Sequence, residues 1–294
     1  MGYRSRKYIG LLYVLPFIIG LSVFQLYPFI SSFVYSFTDL SLANDWKFIG
    51  LENYIKAFTA DKDFYQSLRV TATYVFIAVP CKLLFALFIA MILSMDLKGI
   101  KIFRTIYYIP SILGGSIAVS VIWRFLFAYD GLVNQVTEII NIPAINWLGN
   151  KDLALPTISM LAVWQFGSSM VLFFVGLKQI PDSLYEAAAI DGATKVAQFF
   201  KITLPLLTPT VFFNIIMQTI GAFQEFTTAF VITGGGPMNS TYLYGMMLYE
   251  NSFTYYKMGY ASAQSWILFV VIMLVTGLLF LSSKKWVYYG DGGE

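Results

Sequence analysis

Long apolar runs alternate with short polar ones along the whole chain, and the spacing is that of membrane crossings. A bilayer-spanning helix needs about 20 consecutive apolar residues. Six stretches reach that length, near residues 8–37, 70–95, 105–129, 154–177, 206–232 and 260–283. The first is uncharged from Tyr8 to Phe37, too long for the core of a cleaved leader, and no small-residue cleavage site follows it. It is expected to remain as an anchor. The second carries Pro80 and Lys82 and is the least regular of the six. Nothing between these segments is long enough for a separate soluble domain, which predicts one polytopic domain over residues 1–294.

Composition agrees with a membrane class. The chain is 58% hydrophobic, 18% aromatic and 12% charged, with a mean hydropathy of +0.69, against about 25% charged residues in soluble domains. A single cysteine, Cys81, excludes a disulfide framework and any cysteine-based metal cluster. Without histidine, the usual proton shuttle and the commonest metal ligand are missing. The net charge of +3 comes from basic residues scattered over the loops, which is not a nucleic-acid-binding composition.

Basic residues set the expected orientation. With the N-terminus inside, the inner segments hold Arg4, Arg6, Lys7, Lys98, Lys101, Arg104, Lys178, Lys195, Lys201, Lys284 and Lys285. The outer ones hold fewer: Lys47, Lys56, Lys62, Arg69, Arg124, Lys151 and Lys257. The inner excess predicts both termini in the cytoplasm, and with them the polar stretch 181–205.

That stretch is the most specific part of the chain. Asp182 or Ser183 can cap a helix after Pro181, and Leu184, Glu186 and three alanines favour it. Gly192 breaks the run, Thr194 can cap a second short helix, and Pro205 lies where that helix gives way to apolar sequence. The pattern E-A-A-x-x-x-G-x(9)-I-x-L-P, from Glu186 through Gly192 to Pro205, closely resembles the cytoplasmic coupling loop of ABC importer permeases. Shorter segments resemble the carbohydrate-importing branch of that family, of the maltose and glycerol-3-phosphate type. These are Phe48 to Tyr54, Phe103-Arg104-Thr105-Ile106, Trp123-Arg124, Thr233 to Pro237, and Gly259 to Ala263.

The resemblance implies an all-α integral membrane protein in the type I ABC importer permease fold, with six transmembrane helices and a cytoplasmic coupling helix. It implies a bacterial inner-membrane location and a second, homologous permease as partner. Two copies of a cytoplasmic ATPase would hold the ATP and magnesium, and an extracytoplasmic solute-binding protein would deliver a carbohydrate. No phosphate-binding loop of the G-x-x-x-x-G-K-[ST] type is present, so hydrolysis is expected from the partner, and this chain is expected to bind no cofactor. Glu186, Ala187, Ala188, Asp191 and Gly192 are the expected ATPase-coupling residues.

The pathway candidates are polar residues inside the spans, which are costly to leave facing lipid. Asn214, Gln218, Ala222 and Glu225 have the spacing of one helical face. The last three also fall where maltose-importing relatives line their sugar site, although serine and asparagine stand there at two of the places. Trp164, Gln165, Ser168 and Ser169 on the preceding span lie at comparable depth and offer a stacking ring and hydrogen bonds. Helix–helix adhesion is the competing role for the stripe, most of all for Asn214. Lys82 is open between the pathway and packing near Pro80. Three other readings are a permease for a phosphorylated polyol, a stand-alone carrier, and a polytopic membrane enzyme. The carrier would not need an ATPase-docking loop, and no nucleophile–base arrangement supports the enzyme.

Overall fold

The computed structural model describes the backbone of residues 3–41, 46–95 and 99–288, with side chains from Leu12 onward except Lys101. Of the basic residues behind the expected orientation, Arg4, Arg6, Lys7, Lys98 and Lys101 therefore have side chains outside the described residues. Among the described residues the secondary structure is helical, apart from an isolated bridge between Thr38 and Phe48.

In chain order the helices are α1 (Tyr3–Leu21), α2 (Tyr27–Tyr35), α3 (Glu52–Thr59), α4 (Lys62–Ser94), α5 (Ile100–Ile112), α6 (Ile117–Leu126), α7 (Leu132–Ile139) and α8 (Ala154–Trp164). They continue with α9 (Gly167–Lys178), α10 (Asp182–Ile190), α11 (Lys195–Gln198), α12 (Leu204–Phe223), α13 (Thr227–Ile232), α14 (Tyr244–Tyr249) and α15 (Met258–Ser283). Four continuous segments are long and apolar enough to cross a membrane: Leu12–Tyr35, Lys62–Ser94, Lys195–Phe223 and Met258–Ser283. Two bent pairs bring the possible crossings to six.

Three expected spans differ in detail, each at a local break. The stretch 105–129 divides into α5 and α6, which meet at 99° where Gly115 takes φ +72°. Only glycine does so at no steric cost. The stretch 154–177 bends by 47° between α8 and α9, at Gln165 and Phe166. The stretch 206–232 stops at Phe223 and restarts as α13. By contrast α4, the span with the embedded lysine and proline, is one unbroken helix.

Two wide turns share a cause. Tyr27 N–H bonds to the carbonyl of Ser22, and Leu204 N–H to that of Phe199, five residues back in each case. A proline follows each, Pro28 and Pro205. A proline ring clashes with the carbonyl four residues earlier, here Phe24 and Lys201, and both lie inside the widened turn. Helix therefore runs from α11 through the wide turn into α12, where the sequence suggested a boundary at Pro205.

The chain forms two compact units. The first comprises Met1–Lys62 and Leu248–Val271. In it, Trp266 packs on Phe29 and Phe33, each at 4.7 Å between ring centroids. The segment after α2 turns back under the control of Asn53, whose buried amide donates to the carbonyls of Ser36 (2.9 Å) and Thr38 (2.8 Å). Tyr54 donates to the Ser36 hydroxyl at 2.8 Å, which gives the Phe48–Tyr54 motif its physical basis.

The second unit comprises Asp63–Met247 and Ile272–Glu294. One buried cluster joins Tyr74, Ile158, Leu161, Ile232 and Met246; another joins Leu83, Ala90, Phe166, Phe173 and Leu207. Near the start of α5, Arg104 donates to the carbonyl of Leu93 (3.0 Å) and lies 4.0 Å from the ring centre of Phe174, tying α4, α5 and α9 together. Close approach of α9 to α12 depends on Gly176, where an added Cβ would come within 2.8 Å of Leu207.

Candidate functional site

Within the second unit, α4, the end of α8 and the end of α12 line an open-sided cavity of about 190 Å³. Its polar lining is Lys82, Gln165, Gln218 and Glu225, backed by Tyr74, with Gly221 and Ala222 leaving the space open. An added Cβ at Gly221 would meet nothing within 4 Å. Four of the expected pathway residues, Gln165, Gln218, Ala222 and Glu225, thus meet in one cavity. They reach it differently from the sequence reading. Gln218 and Ala222 share the α12 face, whereas Glu225 lies beyond the helix end, where Glu225 N–H closes the last turn onto Ala222. There its carboxylate accepts the Thr228 N–H at 2.9 Å, in the first turn of α13. The break is also a packing point, because an added Cβ on Gly245 would lie 2.8 Å from the Glu225 carbonyl.

Other candidates lie outside the cavity lining. Trp164 is partly exposed and lies tilted at 42° against Trp123, 6.2 Å between ring centroids. Ser168 is exposed, and its N–H donates to Ser111 Oγ at 3.1 Å. Ser169 is fully buried on α9, its hydroxyl without a partner. Asn214 is fully buried as well, and its amide donates to the Thr210 carbonyl one turn back at 3.0 Å.

Lys82 is the cavity residue that sequence reading left open. Tyr74, Ala78 and Lys82 recur at intervals of four, the spacing of one helical face, and all three line the cavity. An intramembrane cation on a face with a tyrosine was the available signal. Lys82 and Glu225 bring opposite charges to the lining of the same cavity.

The second candidate region is the loop 181–205. The first helix, α10, begins at Asp182, after an extended Pro181 (φ −62°, ψ 132°) that carries no side-chain cap. Asp182 and Ser183 therefore lie inside the first turn, where the carboxylate of Asp182 favours the positive end of the helix. The helix closes as a Schellman motif: Gly192, at φ +78°, donates to the carbonyl of Ala189 (3.1 Å), and Ala193 to that of Ala188 (2.9 Å). Thr194 then caps α11, its hydroxyl accepting from Ala197 N–H at 3.3 Å. Tyr185 O–H meets Thr203 Oγ1 at 2.9 Å, clamping α10 to the entry of α12. Glu186, Ala187, Asp191 and Gly192 are exposed, Ala188 is half-buried, and Ile190 is 88% exposed. The loop is thus internally fixed and presents a polar and apolar outer face. No group of His, Cys, Asp and Glu able to hold a metal ion occurs among the described residues.

Residues 57–288 match the family model described as "Binding-protein-dependent transport system inner membrane component". The chain is 48% identical over 294 residues to the probable ABC transporter permease protein YesP of Bacillus subtilis, covering 99% of this chain and 95% of that one. It is 34% identical over 280 residues to the trehalose/maltose transport system permease protein MalF of Thermococcus litoralis, covering 93% and 92%. With the arabinooligosaccharides transport system permease protein AraP of Bacillus subtilis it shares 32% identity over 282 residues, covering 93% and 88%. The fold is similar to that of a chain in the crystal structure of a bacterial ABC transporter involved in the import of the acidic polysaccharide alginate. The TM-score is 0.82 at 19% identity, over 96% of each chain.

Proposed function

The chain belongs to the family of binding-protein-dependent transport system inner membrane components, and from that premise we propose that it forms one half of the pathway of an ATP-driven carbohydrate importer. The family is the membrane permease component of such importers and not an ATPase. In this reading a second, homologous permease completes the pathway, two cytoplasmic ATPase copies bind the ATP and magnesium, and a solute-binding protein delivers an oligosaccharide from outside.

The observation that carries the reading is the convergence of Lys82, Gln165, Gln218 and Glu225 on one cavity. A sugar presents hydroxyls that both donate and accept. The carboxamides supply both functions, Lys82 donates and Glu225 accepts. The neighbouring charges of Lys82 and Glu225 offset one another, which suits a neutral carbohydrate better than a phosphorylated polyol. Relatives named for trehalose/maltose and for arabinooligosaccharides support the same substrate class. In the loop 181–205, the Tyr185–Thr203 contact makes α10 a body joined to α12, suited to passing ATPase closure to that span as a rigid movement. Glu186, Ala187, Ala188, Asp191 and Gly192 form its proposed docking surface, which in this reading faces the cytoplasm together with both termini.

The test is uptake by the reconstituted importer. Gln218→Leu and Glu225→Leu should each raise the half-saturation concentration by an amount worth about 1–3 kcal/mol, with the complex still assembled. Ala222→Trp fills the gap without removing a hydrogen bond and should block uptake. If all three variants assemble and transport with unaltered affinity, the cavity is not on the pathway. If assembly and thermal stability fall together with transport, the residues serve helix adhesion instead.

A further inference from the structure

The two bent helix pairs of the second unit are broken at the same place, and one side chain joins the breaks. Where α8 ends at Gln165, its carbonyl lacks the amide that a continuing helix would provide, and the first amides of α9 lack acceptors. The hydroxyl of Ser111, in the last turn of α5, meets one need on each side. It donates to the Gln165 carbonyl at 3.1 Å and accepts from the Ser168 N–H at 3.1 Å. Two glycines permit the approach. A Cβ on Gly167 would lie 2.8 Å from both Ser111 Oγ and the Tyr107 carbonyl, and one on Gly114 would lie 3.1 Å from Gln165 Oε1. Gly114 and Gly115 are also where α5 turns into α6. Gly114, next to the glycine that turns the first pair, therefore adjoins the side chain of Gln165, where the other helix ends.

We propose that Ser111 is a positioning residue for the pathway: it pins the two breaks into one joint and so holds Gln165 at the cavity wall. The proposal rests on the reading of the cavity as part of the carbohydrate pathway. Its mechanical content comes from α9, which starts at this joint and extends about 18 Å at 1.5 Å per residue before Pro181 and α10. Movement of the loop 181–205 reaches the cavity along α9, and the joint is the point where tilting of α9 turns into displacement of Gln165. Closed hydroxyl bonds on both sides of the break make Gln165 follow α9; without them its carbonyl and side chain are released from the α5 end.

The test uses a cysteine as reporter at position 165, in the assembled importer with its partner subunits and in a Cys81→Ser background, since Cys81 is exposed. The probe is the trimethylammonium-ethyl methanethiosulfonate reagent, and the readout is its rate of reaction with the Gln165→Cys variant, with and without ATP and vanadate. With Ser111 present, the rate should change at least threefold on nucleotide trapping. Adding Ser111→Ala, at the wild-type yield of complex, should raise the untrapped rate at least threefold and abolish the response to trapping. Ser111→Thr keeps the hydroxyl and should restore the response; it also decides the matter if the alanine variant fails to assemble. A reactive cysteine indifferent to Ser111→Ala, or a threonine variant that assembles but behaves like alanine, overturns the positioning role alone. A cysteine at 165 unreactive in every nucleotide state removes the pathway reading, and the positioning role with it.

Discussion

Replacing Gly192 tests whether the loop works because of its backbone or because of the surface it presents. Gly192 sits at φ +78°, and an added Cβ would meet nothing within 4 Å, so sterics inside this chain add nothing to the cost of a methyl group there. What remains is conformational strain. A left-handed residue other than glycine costs about 1–2 kcal/mol, and a β-branched one falls at the upper end of about 1–3 kcal/mol. That strain acts on the Schellman closure, where Gly192 and Ala193 satisfy the carbonyls of Ala189 and Ala188. Gly192→Ala should therefore lower the equilibrium constant for the closed loop by about tenfold, and Gly192→Val by about a hundredfold. Gly192→Asn should do least, because asparagine tolerates this region. The assay is co-purification of the ATPase subunit with this chain, together with substrate-stimulated hydrolysis in proteoliposomes. Wild-type behaviour of the valine variant would refute the reasoning. An asparagine variant as defective as valine would refute it differently, by showing that the partner's close approach, and not φ, demands glycine.

Three further outcomes follow from the same geometry. Lys82→Met should lower the thermal midpoint of the purified complex by leaving Glu225 uncompensated, and adding Glu225→Gln should recover part of the loss; simple additivity of the two would show that the charges do not interact. Ile190→Asp should abolish ATPase co-purification without destabilising this chain, since Ile190 is 88% exposed, and full retention of the ATPase would exclude that face from docking. In a Cys81→Ser background, cysteines replacing Lys151 or Met238 should react with an impermeant thiol reagent in intact cells, whereas one replacing Lys195 should react only after permeabilisation; the reverse pattern would overturn the orientation drawn from the basic residues.

How much was legible beforehand depended on whether the determinant was local. Run length marked the apolar stretches, of which the structure gives four as continuous helices long enough to cross and two as bent pairs, because burial of backbone polar groups in lipid demands a helix of about 20 residues whatever its neighbours are. The turn at Gly192 and the cap at Thr194 were equally readable, since each acts within a few residues of itself. The break after Phe223 was not, because it comes with the approach of Gly245 to the Glu225 backbone from a distant helix. Periodicity placed Glu225 on the α12 face, yet it reaches the cavity from the turn beyond. Trp164 and Ser169 share the depth of Gln165 in sequence, but Trp164, at the end of α8, lies against Trp123, and Ser169 is buried on α9 past the 47° bend.

By itself, then, the sequence determined the membrane class, the helical content and the closed form of the loop, all of which follow from transfer free energies and backbone preferences along one stretch of chain. Only the tertiary structure decided that Lys82 shares a cavity with Glu225, and that Ser111 closes a break more than fifty residues away in sequence. Such pairings depend on how helices rotate and cross against one another, where a glycine in one helix admits the backbone of the next. No periodicity within a single helix carries that information.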